Sequence, residues 1–124
     1  MEKKRIAIIG ASQDRNKYGN IAVRAYLKQG YEVYPVTPKS DEVEGLKAYP
    51  SIGDIPVDLD AASLYVPPKV GIQLLDEIAD KQVKELFVNP GAESDELLEK
   101  AKALGLNTIV ACSIMAVGLR PEEV

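Results

Sequence analysis

The sequence predicts an α/β fold in which helices cover both faces of a doubly wound parallel sheet. Five short segments rich in Val and Ile alternate with amphipathic helical patterns along the whole chain, as βαβ units require. No repeat, low-complexity tract or linker interrupts this alternation. A length of 124 residues fits one domain, so we predict a single domain over residues 1–124.

The first half of the chain predicts two strands joined by a helix. Residues 5–9 form an apolar strand, and residues 18–29 place Ile and Ala side chains on one face of a helix. Residues 31–36 form the second strand. The stretch 37–58 is rich in Pro and Gly, so we expect irregular structure there, with a short helical turn near 51–53.

The second half of the chain predicts two further helices and three strands. Pro68 suits the first turn of a helix, and the apolar residues that follow it recur with helical spacing. Ser94 is a good N-cap with two acidic residues behind it, and Gly105 marks the end of that helix. The predicted strands are residues 61–66, 86–88 and 108–111.

The predicted strand order is 3-2-1-4-5, which places a ligand outside the carboxyl ends of the strands. The loops at these ends collect Pro, Gly and small polar residues, although α/β loops generally do so. We expect a site where these loops converge. They are residues 10–12, 37–39, 66–69, 89–92 and 111–113.

Gly10, Ala11 and Ser12 follow the first strand and open into the first helix. Their small side chains let backbone N–H groups approach a phosphate at a helix N-terminus, where the dipole favours negative charge. The sequence departs from the dinucleotide pattern G-x-G-x-x-G and lacks the G-x-x-x-x-G-K-[ST] motif of ATP- and GTP-hydrolysing P-loops. We predict a nucleotide-bearing ligand; the alternative is a plain tight turn between strand and helix.

A basic residue replaces the carboxylate that NAD-binding domains place after the second strand. There the chain reads Thr-Pro-Lys at 37–39, and a lysine suits a phosphate on the ribose, so NADP and coenzyme A are both reasonable ligands. Arg15, Lys17 and Lys69 lie in or just after other edge loops and would add positive charge. The alternative is that these residues are solvated surface charges.

The chain contains one cysteine and no histidine. This composition excludes an internal disulfide, the usual zinc sets and Ser-His or Cys-His pairs, so we predict no catalytic and no metal-binding residues. Cys112 follows the last strand at the predicted ligand edge. Its thiol could meet a ligand thiol, or the side chain could be a small buried hydrophobe.

The charge balance and the N-terminus limit the partners that we expect. A net charge of −4 argues against general nucleic-acid binding. No apolar run approaches the roughly 20 residues of a membrane helix, and the N-terminus lacks the apolar segment of a signal peptide. We therefore expect a cytoplasmic protein with neither a membrane nor a nucleic acid as partner.

One segment is especially specific: Pro-Val-Thr-Pro-Lys at 35–39, standing behind a Gly-x-Ser loop. With its companion segments, it resembles the small, single-domain coenzyme A-binding proteins related to the N-terminal domain of the succinyl-CoA synthetase alpha subunit. The likeness covers nearly the whole chain and implies a Rossmann-like fold. The companion segments are residues 9–12, 18–19, 33–34, 45, 49–52 and 64–68.

The resemblance implies a site with three parts: a cradle for the diphosphate, a border around the adenosine 3′-phosphate, and walls that face the adenine or the diphosphate on one side and the pantetheine arm on the other. The implied residues are, in that order, Gly10, Ala11 and Ser12; Thr37, Pro38 and Lys39; and Val66, Pro67, Pro68, Asn89, Gly91 and Cys112. The predicted binding residues also include Arg15, Lys17 and Tyr18.

Succinyl-CoA synthetase transfers phosphate through a histidine, which this chain lacks, so we expect no phosphohistidine ligase chemistry. The predicted function is non-catalytic binding of coenzyme A or a short acyl-CoA. Two alternatives stay open: an NADP-binding oxidoreductase subunit, and a redox module that forms a mixed disulfide with coenzyme A at Cys112. The sequence also leaves open a protein partner, a homo-oligomer and a purely structural role.

Overall fold

The structure is a computed structural model that describes residues 3–124. Met1 and Glu2 lie outside the described residues. They begin the N-terminal segment for which the sequence predicted no signal peptide. A five-stranded parallel sheet forms the middle layer, as predicted, and a two-stranded hairpin stands beside it. The strands are β1 (Arg5–Ile9), β2 (Glu32–Val36), β3 (Glu42–Val43), β4 (Leu46–Lys47), β5 (Ala61–Leu64), β6 (Glu85–Val88) and β7 (Thr108–Val110).

Three longer helices match the predicted ones, and their ends follow from local chemistry. The Ser94 hydroxyl accepts a hydrogen bond from the Leu97 N–H at 3.1 Å, a cap that stabilises a helix by about 1 kcal/mol. Pro68 occupies the first turn of its helix, where no backbone donor is needed. No helix among residues 3–124 is both long and apolar enough to cross a bilayer. The helices are α1 (Tyr18–Lys28), α2 (Pro68–Asp80), α3 (Asp95–Ala103) and α4 (Ser113–Ala116).

Alternate side chains of the central strands point to opposite faces, so the sheet separates two hydrophobic cores. The first core packs α2, α3 and a 3₁₀ turn at Ile52–Asp54, which the sequence predicted, against one face. The second core packs α1 and α4 against the other face. Fully buried members of the first core include Leu64, Leu75, Ile78, Leu86 and Leu97, and those of the second include Ile6, Ile8, Val23 and Ile114.

The predicted order 3-2-1-4-5 is wrong, because the third strand of the main sheet lies beside the first. The observed order is β2-β1-β5-β6-β7, which is 2-1-3-4-5 when only the strands of the main sheet are numbered. Ile52, Ile55 and Leu59, in the connection after β2, pack on the face opposite α1. Because parallel crossovers are right-handed, a connection on the opposite face of the sheet runs in the opposite direction. The chain therefore passes back over β1 and adds β5 on the far side of it. Tyr49 also occupies the outer edge of β2, where its N–H donates to the Pro35 carbonyl at 2.9 Å.

The β3–β4 hairpin is a further departure from the irregular structure expected over 37–58. Its two-residue turn consists of Glu44 at φ 50° and Gly45 at φ +77°. The two-residue hairpin turn whose twist matches that of the paired strands, type I′, requires positive φ at both positions. Val43 is fully buried and anchors the hairpin in the second core. The short helix α4 and the 3₁₀ turn at Pro121–Glu123 were not predicted either.

The N-terminus of α1 lies against the end of β1 because two glycines meet there. A Cβ atom built at Gly19 would overlap the carbonyl oxygen of Gly10. A Cβ atom at Gly10 would in turn overlap the carbonyl oxygen of Tyr65, and Gly10 itself has φ +91°. Because backbone atoms are the obstacles in both cases, no side-chain rotation could relieve the overlap. Glycine at both positions therefore allows the first helix and the first and third strands of the sheet to approach closely.

We expect Gly19→Ala to destabilise the fold by at least about 3 kcal/mol, since the backbone must move to accept the methyl group. Helix propensity alone would favour alanine by about 1 kcal/mol, so the two effects have opposite signs. Gly71→Ala is the control, because its Cβ would lie 2.9 Å from a side-chain atom, Cδ1 of Leu97, and not from backbone, so we expect a smaller loss of stability. Urea unfolding measures both variants; an unchanged or increased free energy of unfolding for Gly19→Ala would contradict the close contact.

Asp60 links the amino ends of the strands and gives the fold a pH dependence. Its carboxylate accepts hydrogen bonds from the Arg5 N–H at 2.8 Å and from Lys84 Nζ at 3.2 Å. The backbone hydrogen bond from Arg5, assisted by Lys84, holds the pKa of the Asp60 carboxyl below its usual value. Its stabilising contribution is thus complete above the unfolded pKa of about 3.9 and is lost as the pH falls through the lower folded value.

We expect Asp60→Asn to be less stable than the wild type at about pH 7 and equally stable near about pH 2. The difference at neutral pH should not exceed about 1 kcal/mol, because the Asp60 side chain is 35% exposed. Urea unfolding of both proteins over this pH range measures it. A stability difference that stays constant with pH would show that ionisation of Asp60 does not contribute.

Candidate functional site

A cavity of about 640 Å³ opens at the carboxyl ends of β1 and β5. The chain leaves these neighbouring strands in opposite directions, so the surrounding loops part here and form a crevice. The volume lies within the roughly 300–1,000 Å³ of small-molecule sites. The lining residues are Gly10, Ala11, Ser12, Gln13, Lys17, Tyr18, Gly19, Thr37, Pro38, Lys39, Ser40, Leu64, Tyr65, Val66, Pro67, Val70, Pro90, Gly91 and Ala92.

The loop between β1 and α1 is tied to β2 by its first two amides. The N–H groups of Gly10 and Ala11 donate to the Val36 carbonyl oxygen at 3.0 and 3.3 Å. These two residues therefore shape the cavity while their amides are engaged elsewhere. The next amides, those of Ser12 and Gln13, have no protein acceptor among the described residues, and both residues line the cavity. They are the loop amides left to bind an anion.

The N-terminus of α1 is uncapped. Lys17 stands at the N-cap without a side-chain hydrogen bond to the helix, and the first turn contains no acidic residue. By contrast, Ser94 caps α3, and Asp95 and Glu96 lie in its first turn. Because Lys17 and Tyr18 both line the cavity, the positive end of the α1 dipole lies beside it, and no acidic residue in the first turn of the helix offsets it.

Two lysines bring positive charge to an otherwise acidic protein. Lys17 and Lys39 line the cavity, and no Asp or Glu is among the described residues that line it. The loop that carries Lys39 is held in place by two hydrogen bonds. The Lys39 N–H donates to the Thr37 hydroxyl at 3.2 Å, and the Thr37 N–H donates to the Tyr49 carbonyl at 2.9 Å. The cavity therefore favours an anion, although the net charge of the chain is −4.

Another part of the cavity wall is apolar. Leu64, Val66 and Pro67 follow one another from the end of β5, and Val70 projects from the first turns of α2. Val70 and Tyr18 are 43% and 59% exposed, so the cavity leaves large apolar surface in water. Such a wall suits a ligand that combines uncharged with charged parts.

Behind this wall, a buried hydrogen-bond network joins β5, the loop after β6 and α4. Asn89 donates to the Ser63 hydroxyl and to the Leu64 carbonyl oxygen, both at 2.7 Å, and accepts from the Ser113 N–H at 2.8 Å. The Ser113 hydroxyl lies 2.8 Å from the hydroxyl groups of both Ser63 and Tyr65. Asn89, a predicted ligand contact, thus braces the strand ends from inside the protein.

Burial keeps the two phenols of this network protonated. Desolvation raises the pKa of Tyr65 to about 12. It also raises the pKa of Tyr26, whose hydroxyl donates to the Ser113 carbonyl at 2.7 Å, far above the usual value. Near neutral pH both phenols keep their protons, and neither is suited to be a base or a nucleophile.

The structure brings most of the predicted site residues together, but four of them do not line the cavity. Arg15 is exposed, and its Nε lies 3.7 Å from the Glu44 carboxylate. Pro68 begins α2, and Asn89 is buried as described. Cys112, at the N-cap of α4, is half-buried against the second core. The predicted residues that line it are Gly10, Ala11, Ser12, Lys17, Tyr18, Thr37, Pro38, Lys39, Val66, Pro67 and Gly91.

Several lining residues were not predicted as site residues. Gly19 carried a usable signal, because a glycine inside a helix is costly unless another backbone lies close to it. Leu64 and Tyr65 were assigned to the interior of a strand predicted to reach residue 66, whereas β5 ends at Leu64. Pro90 and Ala92 belong to the 89–92 loop that was expected at the site, and the remaining lining residues that were not predicted are Gln13, Ser40 and Val70.

Comparison with known proteins identifies the family of the chain. Residues 4–118 match a family model described as the CoA binding domain. The alpha subunit of ADP-forming acetate–CoA ligase II from Pyrococcus furiosus is 36% identical over 115 residues, covering 84% of this chain and 25% of that subunit. The chain therefore spans about a quarter of the length of this relative.

Two solved structures share the fold. A conserved hypothetical protein from Pyrococcus furiosus has a TM-score of 0.84 and 40% identity, covering 91% of this chain and 98% of that one. A dinucleotide-forming acetyl-coenzyme A synthetase 1 from Ca. Korarchaeum cryptofilum, solved with phosphate and ADP, has a TM-score of 0.76 and 30% identity, covering 87% of this chain and 25% of that one. With the family model matching residues 4–118, the chain belongs to the CoA-binding domain family.

Proposed function

We propose that the chain binds coenzyme A or a short acyl-CoA in the cavity at the carboxyl ends of β1 and β5, without itself catalysing a reaction. The observation that carries this proposal is the combination, in one cavity, of an anion-favouring region with an apolar wall. Coenzyme A has the same two parts, since a phosphate-bearing nucleotide is joined to a largely uncharged pantetheine arm. Membership of the CoA-binding domain family supports the choice of ligand.

In this proposal the diphosphate lies near the start of α1. The unpaired amides of Ser12 and Gln13, the uncapped helix end and the Lys17 ammonium would each favour its negative charge. Lys39, on the loop after β2, would face the phosphate on the ribose. The apolar residues at the end of β5 and the start of α2 would lie along the uncharged parts of the ligand. Bound coenzyme A supplies a thiol or thioester for chemistry elsewhere.

The absence of a catalytic role in this proposal rests on the side chains at the cavity. The phenol of Tyr65 keeps its proton at neutral pH, and the described lining residues contain no carboxylate or thiol. The 124 residues contain no histidine that could carry a phosphoryl group. Since relatives in the family are subunits of acyl-CoA-forming ligases, we propose that any reaction of the bound cofactor takes place with a protein partner.

We expect coenzyme A to bind about tenfold more tightly than 3′-dephospho-coenzyme A, because an ammonium–phosphate contact at a partly exposed site contributes about 1.4 kcal/mol. Lys39→Gln should abolish this preference. Lys69→Gln, which removes a lysine outside the cavity, is the matched control. Isothermal titration of the three proteins with the two ligands measures all six affinities. Equal affinity of the wild type for both ligands would remove Lys39 from its role, and no binding of either would refute the proposed function.

We expect Cys112 to stay free when the folded protein is incubated with the disulfide of coenzyme A, because its side chain is half-buried and lies outside the cavity lining. Intact mass spectrometry measures any adduct, and the same incubation in denaturant serves as the positive control. A coenzyme A adduct on the folded protein would instead support the redox module that the sequence left open.

A further inference from the structure

Asn20 is a polar side chain in a position where helix α1 faces the protein interior. It is fully buried, and burying an amide is costly unless its hydrogen bonds are made. All of its polar atoms have partners: Nδ2 donates to the Ser12 carbonyl at 2.8 Å and to Glu44 Oε2 at 3.1 Å, and Oδ1 accepts from Arg24 Nε at 2.7 Å. The partners are the loop before α1, the β3–β4 hairpin and the next turn of α1 itself.

The bond to Ser12 orients the loop amides. In a planar trans peptide the C=O and the following N–H point in opposite directions. Because Asn20 holds the Ser12 carbonyl, the N–H of Gln13 is turned away from Asn20 and has no protein acceptor among the described residues. Asn20 thus fixes the direction of an amide that the proposed function assigns to the diphosphate.

The bond to Glu44 connects this loop to the β3–β4 hairpin. Glu44 is a non-glycine residue at φ 50°, a conformation that costs of order 1 kcal/mol, and its carboxylate points back to Asn20. A second link lies beside it, since Gln13 Nε2 donates to the Glu42 carbonyl at 2.8 Å. The hairpin follows directly after the loop that carries Lys39.

We infer that Asn20, with Glu44, is a positioning residue that holds the two phosphate-facing loops in their binding geometry before the ligand arrives. Asn20 does not line the cavity, so it acts through Ser12, Gln13 and the hairpin. Preorganisation of this kind increases affinity because the loops lose less conformational freedom on binding. The inference rests on the proposed function, since it assigns the geometry of that site to two residues outside it.

Asn20→Leu tests the inference, because leucine has a similar size and no hydrogen-bonding group. We expect the dissociation constant for coenzyme A to rise by at least about tenfold, and by the same factor for 3′-dephospho-coenzyme A, since the diphosphate region is affected in both. This pattern differs from that of Lys39→Gln, which acts on the 3′-phosphate alone. A merely destabilised protein, measured well below its melting temperature, would keep its affinity.

Tyr26→Phe is the control, because it removes the side-chain hydrogen bond of another buried residue of α1; it removes one such bond, whereas Asn20→Leu removes three. The lost bond runs to Ser113 in α4 and touches neither loop. We expect its melting temperature to fall while its affinity for coenzyme A stays within about twofold of the wild type.

Glu44 provides a second test that survives if Asn20→Leu fails to fold. Glu44→Ala removes the acceptor at the hairpin tip and should weaken binding about threefold to tenfold, whereas Glu44→Gln keeps an acceptor for Asn20 and should restore most of the affinity. If the wild type binds coenzyme A but Glu44→Ala, and Asn20→Leu where it folds, bind within about twofold of it, the positioning role is refuted and the proposed function stands. If the wild type does not bind coenzyme A, both are refuted.

Discussion

The close approach of Gly19 to the carbonyl of Gly10 determines where the site can form. It brings the start of α1 against the end of β1, and it leaves the loop between them only a short compact path. The positive end of the helix dipole is thereby directed at the crevice beside β5. The same approach brings Asn20, one residue further along the helix, within hydrogen-bond distance of the Ser12 carbonyl. A larger residue at either glycine would move all of these groups together.

The topology supplies the space into which this helix end points. α1 covers one face of the sheet, whereas the connection from β2 to β5 crosses the other. β1 therefore has neighbours reached through opposite faces, and the loops diverge at its carboxyl end. The Lys39 loop forms a second wall of the cavity. The β3–β4 hairpin follows that loop directly and is hydrogen-bonded to Gln13 and Asn20 near the start of α1. Positive charge on two walls and apolar side chains from β5 and α2 thus face one cavity.

Features with a local cause were predictable from the sequence. Ser94 and Pro68 mark helix starts through their own side chains, and the strands of the main sheet have apolar runs of sufficient length. The strand order was not predictable, because it depends on which face the connection after β2 crosses, and no local pattern records that choice. The hairpin was missed for a related reason: strands of two residues are too short to show alternation.

The same distinction applies to the site. Residues in the turns at the strand ends, such as Ser12 and Lys39, were found because turn residues reveal where strands stop. Asn89 lies in such a turn, but its side chain points into the protein, and a sequence does not record orientation. Arg15 was expected at the ligand, yet its Glu44 partner comes from a hairpin distant in sequence.

Binding of coenzyme A in the cavity at the carboxyl ends of β1 and β5 can be followed through the backbone amide signals in a ¹H–¹⁵N NMR titration of the wild type. We expect saturable shifts for the amides of Ser12, Gln13, Tyr18, Lys39 and Val66. Shifts confined to the opposite edge of the sheet, where a cavity of about 380 Å³ is lined by Tyr31 and Lys84, or no saturable shifts at all, would contradict it.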